Sequence, residues 1–257
     1  MSREIVVEKK EHIGWIILNR PESYNTFNIP FAKQLNDSLL AFEEDENIRV
    51  IVIKASGKHF SAGIDVGELK SKKPDEYRGF LKLMDLHNHT IARMEKPVIA
   101  SVKGYALANG AGLTFACDMT VAAKSAVFGT TAINVGLICL GPAVPLMRSV
   151  GRKKTLEMVL TGDTISAYEA EKLGLVNNVV EDDNLDEITL ELAMKLAAKS
   201  PLALRVGKRG IYALNDISYH ESVDYMTELF ASLCITEDAE EGIKAFLEKR
   251  NPIYKGR

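Results

Sequence analysis

Three short runs restrict the fold of this sequence more than anything else in it: Val50-Ile51-Val52-Ile53, Val98-Ile99-Ala100-Ser101-Val102 and Met119-Thr120-Val121-Ala122-Ala123. The first is β-branched and wholly apolar, as a strand buried on both faces has to be, and the other two look alike. Each has a helix-like stretch nearby, so the pattern is one of stacked strand-and-helix units and the fold class is α/β. Ahead of them, Ile5-Val6-Val7 and then Ile13 with Trp15-Ile16-Ile17-Leu18 alternate in period two about the charged turn Glu8-Lys9-Lys10-Glu11, which predicts a β-hairpin. A helical period over 30–42 puts Phe31, Leu35, Leu39 and Phe42 on one face. From about Asn184 strand runs vanish, and helical periods fill 185–198, 202–215, 219–233 and 236–249.

At 257 residues, 46% hydrophobic and 26% charged, the chain can bury a large core; this length admits two domains without demanding them. The expected division is a body over 1–195 and a helical region over 196–257 that covers an edge or builds a subunit interface. A formal net charge of -3, with acids and bases interleaved, argues against a nucleic-acid surface or a polybasic membrane patch. Cys117, Cys139 and Cys234 are few, odd in number and far apart, without zinc-site or disulfide spacing, which fits a reducing, cytoplasmic compartment. The start, from Met1 through Glu8, carries charges where an export signal needs an apolar run, and no run reaches membrane-spanning length.

Two turns between strand and helix can carry chemistry. His59-Phe60-Ser61-Ala62-Gly63-Ile64-Asp65 follows the first apolar run. Gly104-Tyr105-Ala106-Leu107-Ala108-Asn109-Gly110-Ala111-Gly112 leaves the second and enters an apolar segment, 113–117, that reads as a buried helix. The first turn of a helix has N–H donors without partners and a partly positive end. If the two turns converge, their donors stabilise negative charge developing on a carbonyl oxygen in a dry cleft, which is an oxyanion hole. Either turn by itself is more often ordinary α/β punctuation.

Taken together, five segments resemble the crotonase, or enoyl-CoA hydratase/isomerase, superfamily over essentially the whole length. They are Asn19-Arg20-Pro21-Glu22 with Asn25; the 59–65 turn; Lys96-Pro97-Val98-Ile99-Ala100 running into Gly104-Tyr105-Ala106; Cys117-Asp118; and Thr161-Gly162 through Ile165-Ser166-Ala167, Glu169-Ala170 and Gly174-Leu175-Val176. The stretch from Glu241 to Arg250 looks like the family's C-terminal signature. The resemblance implies a crotonase (ClpP/crotonase-like) spiral of ββα units with a C-terminal helical trimerisation region, and trimers that can pair into hexamers. It implies acyl-coenzyme A as substrate or ligand, no metal or other cofactor, and a place in fatty acid metabolism. One oxyanion N–H would come from Ile64 and the other from Asn109, where Ala108-Asn109-Gly110 stands in place of a three-glycine stretch. Coenzyme A would run along 24–27 and 62–65, against Tyr24, Ala62, Gly63 and Asp65. Gly110, Gly112, Thr131 and Ala132 would surround the acyl group, while Phe230 and Lys249 match positions that touch coenzyme A, often from a neighbouring subunit.

The chain departs from the family where water addition is concerned. Hydratases of the family carry one glutamate at the position of Gly112 and another at that of Ala132; water addition needs one group to take the water proton and one to protonate carbon. No carboxylate lies between Val127 and Arg152. The expectation is therefore a lyase or isomerase of acyl-CoA thioesters that stabilises an enolate without being a standard hydratase, with isomerisation, decarboxylation and thioester hydrolysis open. The alternative is a non-catalytic acyl-CoA-binding or regulatory protein on the same scaffold. Asp85 and His89 lie four apart on a helix predicted over 77–94, so they share a face and either pair, the carboxylate tuning the imidazole, or simply face solvent. Asp65 reads as a helix cap, Asp118 as structural and Cys139 as a small buried hydrophobe.

Overall fold

In the computed structural model, which describes residues 3–70 and 72–257, the two period-two segments form β1 (Ile5–Lys10) and β2 (Ile13–Leu18), paired antiparallel. The turn falls at Glu11-His12, because Glu8, Lys9 and Lys10 continue β1 opposite Trp15, Gly14 and Ile13. Charged side chains suit an edge strand with a solvent face. Met1 and Ser2, where the reading of the start begins, lie outside the described residues. Next comes α1 (Ile29–Glu44), capped by Asn28, whose Oδ1 accepts the N–H of Phe31 at 2.8 Å, with Pro30 in the first turn. Its Phe31, Leu35, Leu39 and Phe42 are all buried.

β3 (Val50–Ala55) follows. The helix expected over 77–94 is two helices, α2 (Pro74–Met84) and α3 (Leu86–Arg93), broken at Asp85, where φ is -99° and ψ is 2°. The apolar period runs through the break: Phe80, Met84, His87 and Ile91 are all buried, so spacing alone does not mark it. β4 (Val98–Val102), β5 (Tyr105–Leu107), α4 (Asn109–Ala116), β6 (Met119–Ala123) and β7 (Val127–Gly129) follow. After them come α5 (Leu140–Thr161), β8 (Thr164–Ser166), α6 (Ala167–Lys172), β9 (Asn178–Val180) and α7 (Leu185–Ala197).

One sheet has the order β1-β2-β3-β4-β6-β9 and is parallel from β2 onward; β5, β7 and β8 make a second, three-stranded sheet. Alternation divides β3 between two cores. Val50 and Val52 face α7 in a smaller core with Ile13, Trp15, Ile99 and Val121. Ile51 and Ile53 face the larger core, with Phe27, Phe31, Leu35, Phe60 and Leu113. Apolar residues on both faces are what a sheet covered on both sides requires.

Beyond α7 lie α8 (Pro201–Ala213), α9 (Tyr219–Cys234) and α10 (Glu237–Glu248). A buried charge ties α8 to the body. Lys208 Nζ stands 2.7 Å from Asp118 Oδ2 and donates to the carbonyl of Lys96 at 2.9 Å; the Tyr212 hydroxyl donates to Asp118 Oδ1 at 2.9 Å, and the N–H of Val98 to Oδ2 at 2.7 Å. Asp118 thus serves the architecture. In contrast, α9 buries none of its residues, and Phe230, Ile235, Phe246 and Leu247 stand exposed on the last two helices and their connection. Among the described residues no helix is long and apolar enough to cross a membrane.

Candidate active site

The two bends meet. A parallel bridge joins Ser61 to Ala106: the N–H of Ser61 donates to Tyr105 and that of Leu107 to Ser61, both at 2.9 Å. A second joins Phe27 to Ile64, with Phe27 donating to Gly63 at 2.8 Å and Asp65 to Phe27 at 2.9 Å. The buried Asn25 side chain clamps the same region, donating to the carbonyls of Ser56 at 3.0 Å and His59 at 2.8 Å while accepting from Arg20 at 2.7 Å. Gly63 has φ +103°, and a Cβ there would lie 2.7 Å from Ala108 Cβ, 3.2 Å from Leu107 O and 3.4 Å from the Asn109 nitrogen. At Gly110 an added Cβ would fall 2.3 Å from Ser61 O. The bends carrying Ile64 and Asn109 are therefore in contact. Neither N–H donates to another backbone group among the described residues. Asn109 is the first residue of α4, which is buried along its whole length. Ala108, at φ 47° and ψ -119°, turns β5 into that helix and holds strain of roughly 1–3 kcal/mol for a residue with a side chain.

Gly112 has no room for a side chain: a Cβ would sit 2.9 Å from Pro142 Cγ and 3.0 Å from its Cβ. Pro142 is buried in the first turn of α5 and is the neighbour that such a Cβ would meet. Thr131 and Ala132 lie half-buried in a 3-10 turn after β7. The Thr130 hydroxyl beside them is buried without a partner among the described residues.

The Asp85 side chain touches the head of α4, while His89 lines the same cleft as Asp85 without reaching the bends. The Asp85 Oδ1 accepts a hydrogen bond from Asn109 Nδ2 at 3.0 Å, whereas His89 is exposed. Of the two readings open for Asp85 and His89, a pair or a solvent face, no hydrogen bond or ion pair joins the two among the described residues, and the helix is broken at Asp85. Burial pushes the Asp85 carboxyl up from its ordinary value, against the opposing effects of the Asn109 hydrogen bond and the nearby His89. Cys139 is buried next to Asp85, and burial pushes its thiol up. His87 is buried against Phe27, its pKa held down to about 4 by burial. A cleft of about 1020 Å³ runs from Asp85 and Gly141 beneath α8 to Lys208 and Tyr212.

Along the other flank, Ala62 donates to the carbonyl of Tyr24 at 3.0 Å, tying the segment 24–27 to the first bend. The exposed Tyr24 ring stacks on His59 at 5.3 Å, and His59 stacks on Tyr105 at 4.2 Å. Asp65 caps the short 3-10 helix Val66–Leu69, accepting from Gly67 at 3.1 Å, and lies 3.4 Å from Arg20. Phe230 lines an apolar groove with Val223 and Met226 on α9, and Lys249 is the exposed left-handed residue ending α10, so both stand apart from the bends. Among the described residues, no group of three or more His, Cys, Asp or Glu side chains is arranged to hold a metal ion. Sequence reasoning missed Pro142 and Gly141; each acts through a contact across about thirty or more positions, for which spacing offers no signal.

A family model described as enoyl-CoA hydratase/isomerase matches residues 8–257. The chain is 37% identical over 258 residues to the 2,3-dehydroadipyl-CoA hydratase of Escherichia coli, covering 99% of each. It is 36% identical over 253 residues to a probable mitochondrial enoyl-CoA hydratase of Dictyostelium discoideum, covering 97% of this chain and 90% of that one. Among solved structures, an enoyl-CoA hydratase of Mycobacterium smegmatis superposes with a TM-score of 0.95 at 34% identity, over 98% of this chain and 99% of that one. Human enoyl-CoA hydratase domain-containing protein 3 superposes with a TM-score of 0.94 at 34% identity, over 98% and 100%.

Proposed function

The chain belongs to the enoyl-CoA hydratase/isomerase family and has its crotonase fold, and from that premise we propose that it binds an acyl-coenzyme A thioester and stabilises the enolate formed from it. The carbonyl oxygen lies between the N–H groups of Ile64 and Asn109. The observation that carries this reading is the contact between the two bends, with the Asn109 nitrogen 3.4 Å from where a Gly63 side chain would begin. Tyr24, Ala62, Gly63 and Asp65 flank the coenzyme A, and Gly110, Thr131 and Ala132 the acyl group.

The chemistry is not standard hydration. Residue 112 is glycine against Pro142 and residue 132 is alanine, so neither can handle the protons of an added water. Asp85 is the carboxylate beside the proposed hole, which supports a lyase or isomerase acting by proton transfer; a non-catalytic acyl-CoA binder is the alternative. The exposed apolar side chains of α9 and α10 support self-association into a trimer or hexamer, in which Phe230 and Lys249 reach a neighbour's coenzyme A. Free cysteines suit a reducing compartment, and we place the protein in the cytoplasm, although the Dictyostelium relative carries a mitochondrial name.

The test is crotonyl-CoA. Titration calorimetry is expected to detect its binding, while its absorbance in the presence of the protein stays constant, reporting negligible hydration. Failure to bind this thioester or acetyl-CoA would overturn the reading; rapid hydration would overturn the claim of non-standard chemistry alone.

A further inference from the structure

We propose that Asn109 serves the site twice, offering its main-chain N–H to the thioester oxygen and its side chain to Asp85, which carries the proton from a seat that exists because residue 141 is glycine. The inference rests on the acyl-CoA reading above and deepens it. Three elements converge on the carboxylate. It projects from the joint between α2 and α3, and its Oδ1 is held at 3.0 Å by Asn109 Nδ2 at the head of α4. It also lies against the first turn of α5, where a Cβ on Gly141 would fall 2.3 Å from Oδ1 and 2.4 Å from Oδ2. Oδ2 has no hydrogen-bond partner among the described residues, so one oxygen is fixed and the other is free to take a proton. A hydrogen bond from a neutral amide favours the charged carboxylate and so opposes the effect of burial. The other titratable groups facing this position are His89 on α3, Cys139 before α5 and, along the same cleft, Cys117, Tyr212, the Arg148–Asp216 pair and the Lys208–Asp118 pair.

A single carboxylate suffices for an allylic shift. With 3-butenoyl-CoA, Asp85 takes a proton from Cα; the C–H electron pair becomes the double bond between Cα and the carbonyl carbon, and the carbonyl π pair moves onto the oxygen held by the two N–H groups. Asp85 then returns the proton to Cγ as the carbonyl re-forms. The double bond passes from Cβ=Cγ to Cα=Cβ and crotonyl-CoA leaves, with nothing else consumed. Asp85 is the proton carrier here, while Asn109 acts on it as a positioning residue through its side chain.

The experiment follows 3-butenoyl-CoA conversion by absorbance and, by mass spectrometry in D₂O, the share of the substrate proton retained at Cγ, over a range of pH, with affinity measured by calorimetry. The unaltered protein is expected to convert the thioester. Asp85→Asn should lower the rate by about 10²–10⁴-fold and erase the acid limb of the pH profile. Asn109→Ala keeps the main-chain donor but removes the hydrogen bond that opposes burial, so the acid limb should move to higher pH. Gly141→Ala should slow conversion by displacing the carboxylate; if it misfolds by circular dichroism, the Asn109→Ala profile still decides. An acid limb unmoved in Asn109→Ala, or an Asp85→Asn variant as fast as the parent, overturns the inference. Binding of 3-butenoyl-CoA without conversion also overturns it but leaves the acyl-CoA reading standing, whereas absence of binding removes both.

Discussion

Gly63→Ala is expected, on the proposed oxyanion-hole reading, to slow conversion of an acyl-CoA thioester by about 10²–10³-fold, the loss found when one donor of such a hole is removed. The methyl group would arrive 2.7 Å from Ala108 Cβ and 3.2 Å from Leu107 O, at a residue whose φ of +103° already excludes side chains. The first bend has to retreat, and it takes the N–H of Ile64 with it while that of Asn109 stays at the head of α4. Steady-state kinetics on the converted thioester measures the loss. A second change, Ala108→Gly, removes the nearest clashing atom and should restore part of the rate. A single variant as fast as the parent would show that the two bends do not act on one oxygen.

Asp118→Ala should cost about 3–5 kcal/mol of stability, the range for removing one partner of a buried ion pair. In a chain of this size that is a fall of about 6–20 °C in melting temperature. The carboxylate answers three donors at once, the Lys208 ammonium, the Tyr212 hydroxyl and the Val98 N–H, and the Lys208 and Asp118 side chains are only 6% and 13% exposed. With alanine there, a positive charge is stranded under α8 and the first residue of β4 loses its acceptor. Lys208→Met is expected to do less harm, since Tyr212 and Val98 still satisfy the carboxylate. Calorimetric melting that places Asp118→Ala within about 2 °C of the parent would mean that α8 is held by its apolar contacts instead.

Much of the body was legible because its signals are local. The β3 run and the buried stripe of α1 were visible as periods of two and 3.6, and the four C-terminal helices lie within a few residues of their expected limits. The second sheet was not legible, since β5, β7 and β8 are three residues each, too short for alternation to register. Asp85 shows the same limit at the site. Its residue type marked it as a candidate, but the apolar period passes over the helix break at which it stands, and its hydrogen-bond partner lies on another helix. At position 112 the sequence shows a glycine; only the fold shows that Pro142 lies against it.

The chain's sole tryptophan, Trp15, points into the smaller core beneath α7, with Lys54 Nζ 5.4 Å from its ring, while Phe27, Phe60 and Ala106 of the bends belong to the larger core across the sheet. Its fluorescence therefore reads the integrity of the α7 layer, on the opposite face of the sheet from the two bends. Intrinsic emission can be used to separate variants that have lost their fold from variants that have lost only their chemistry.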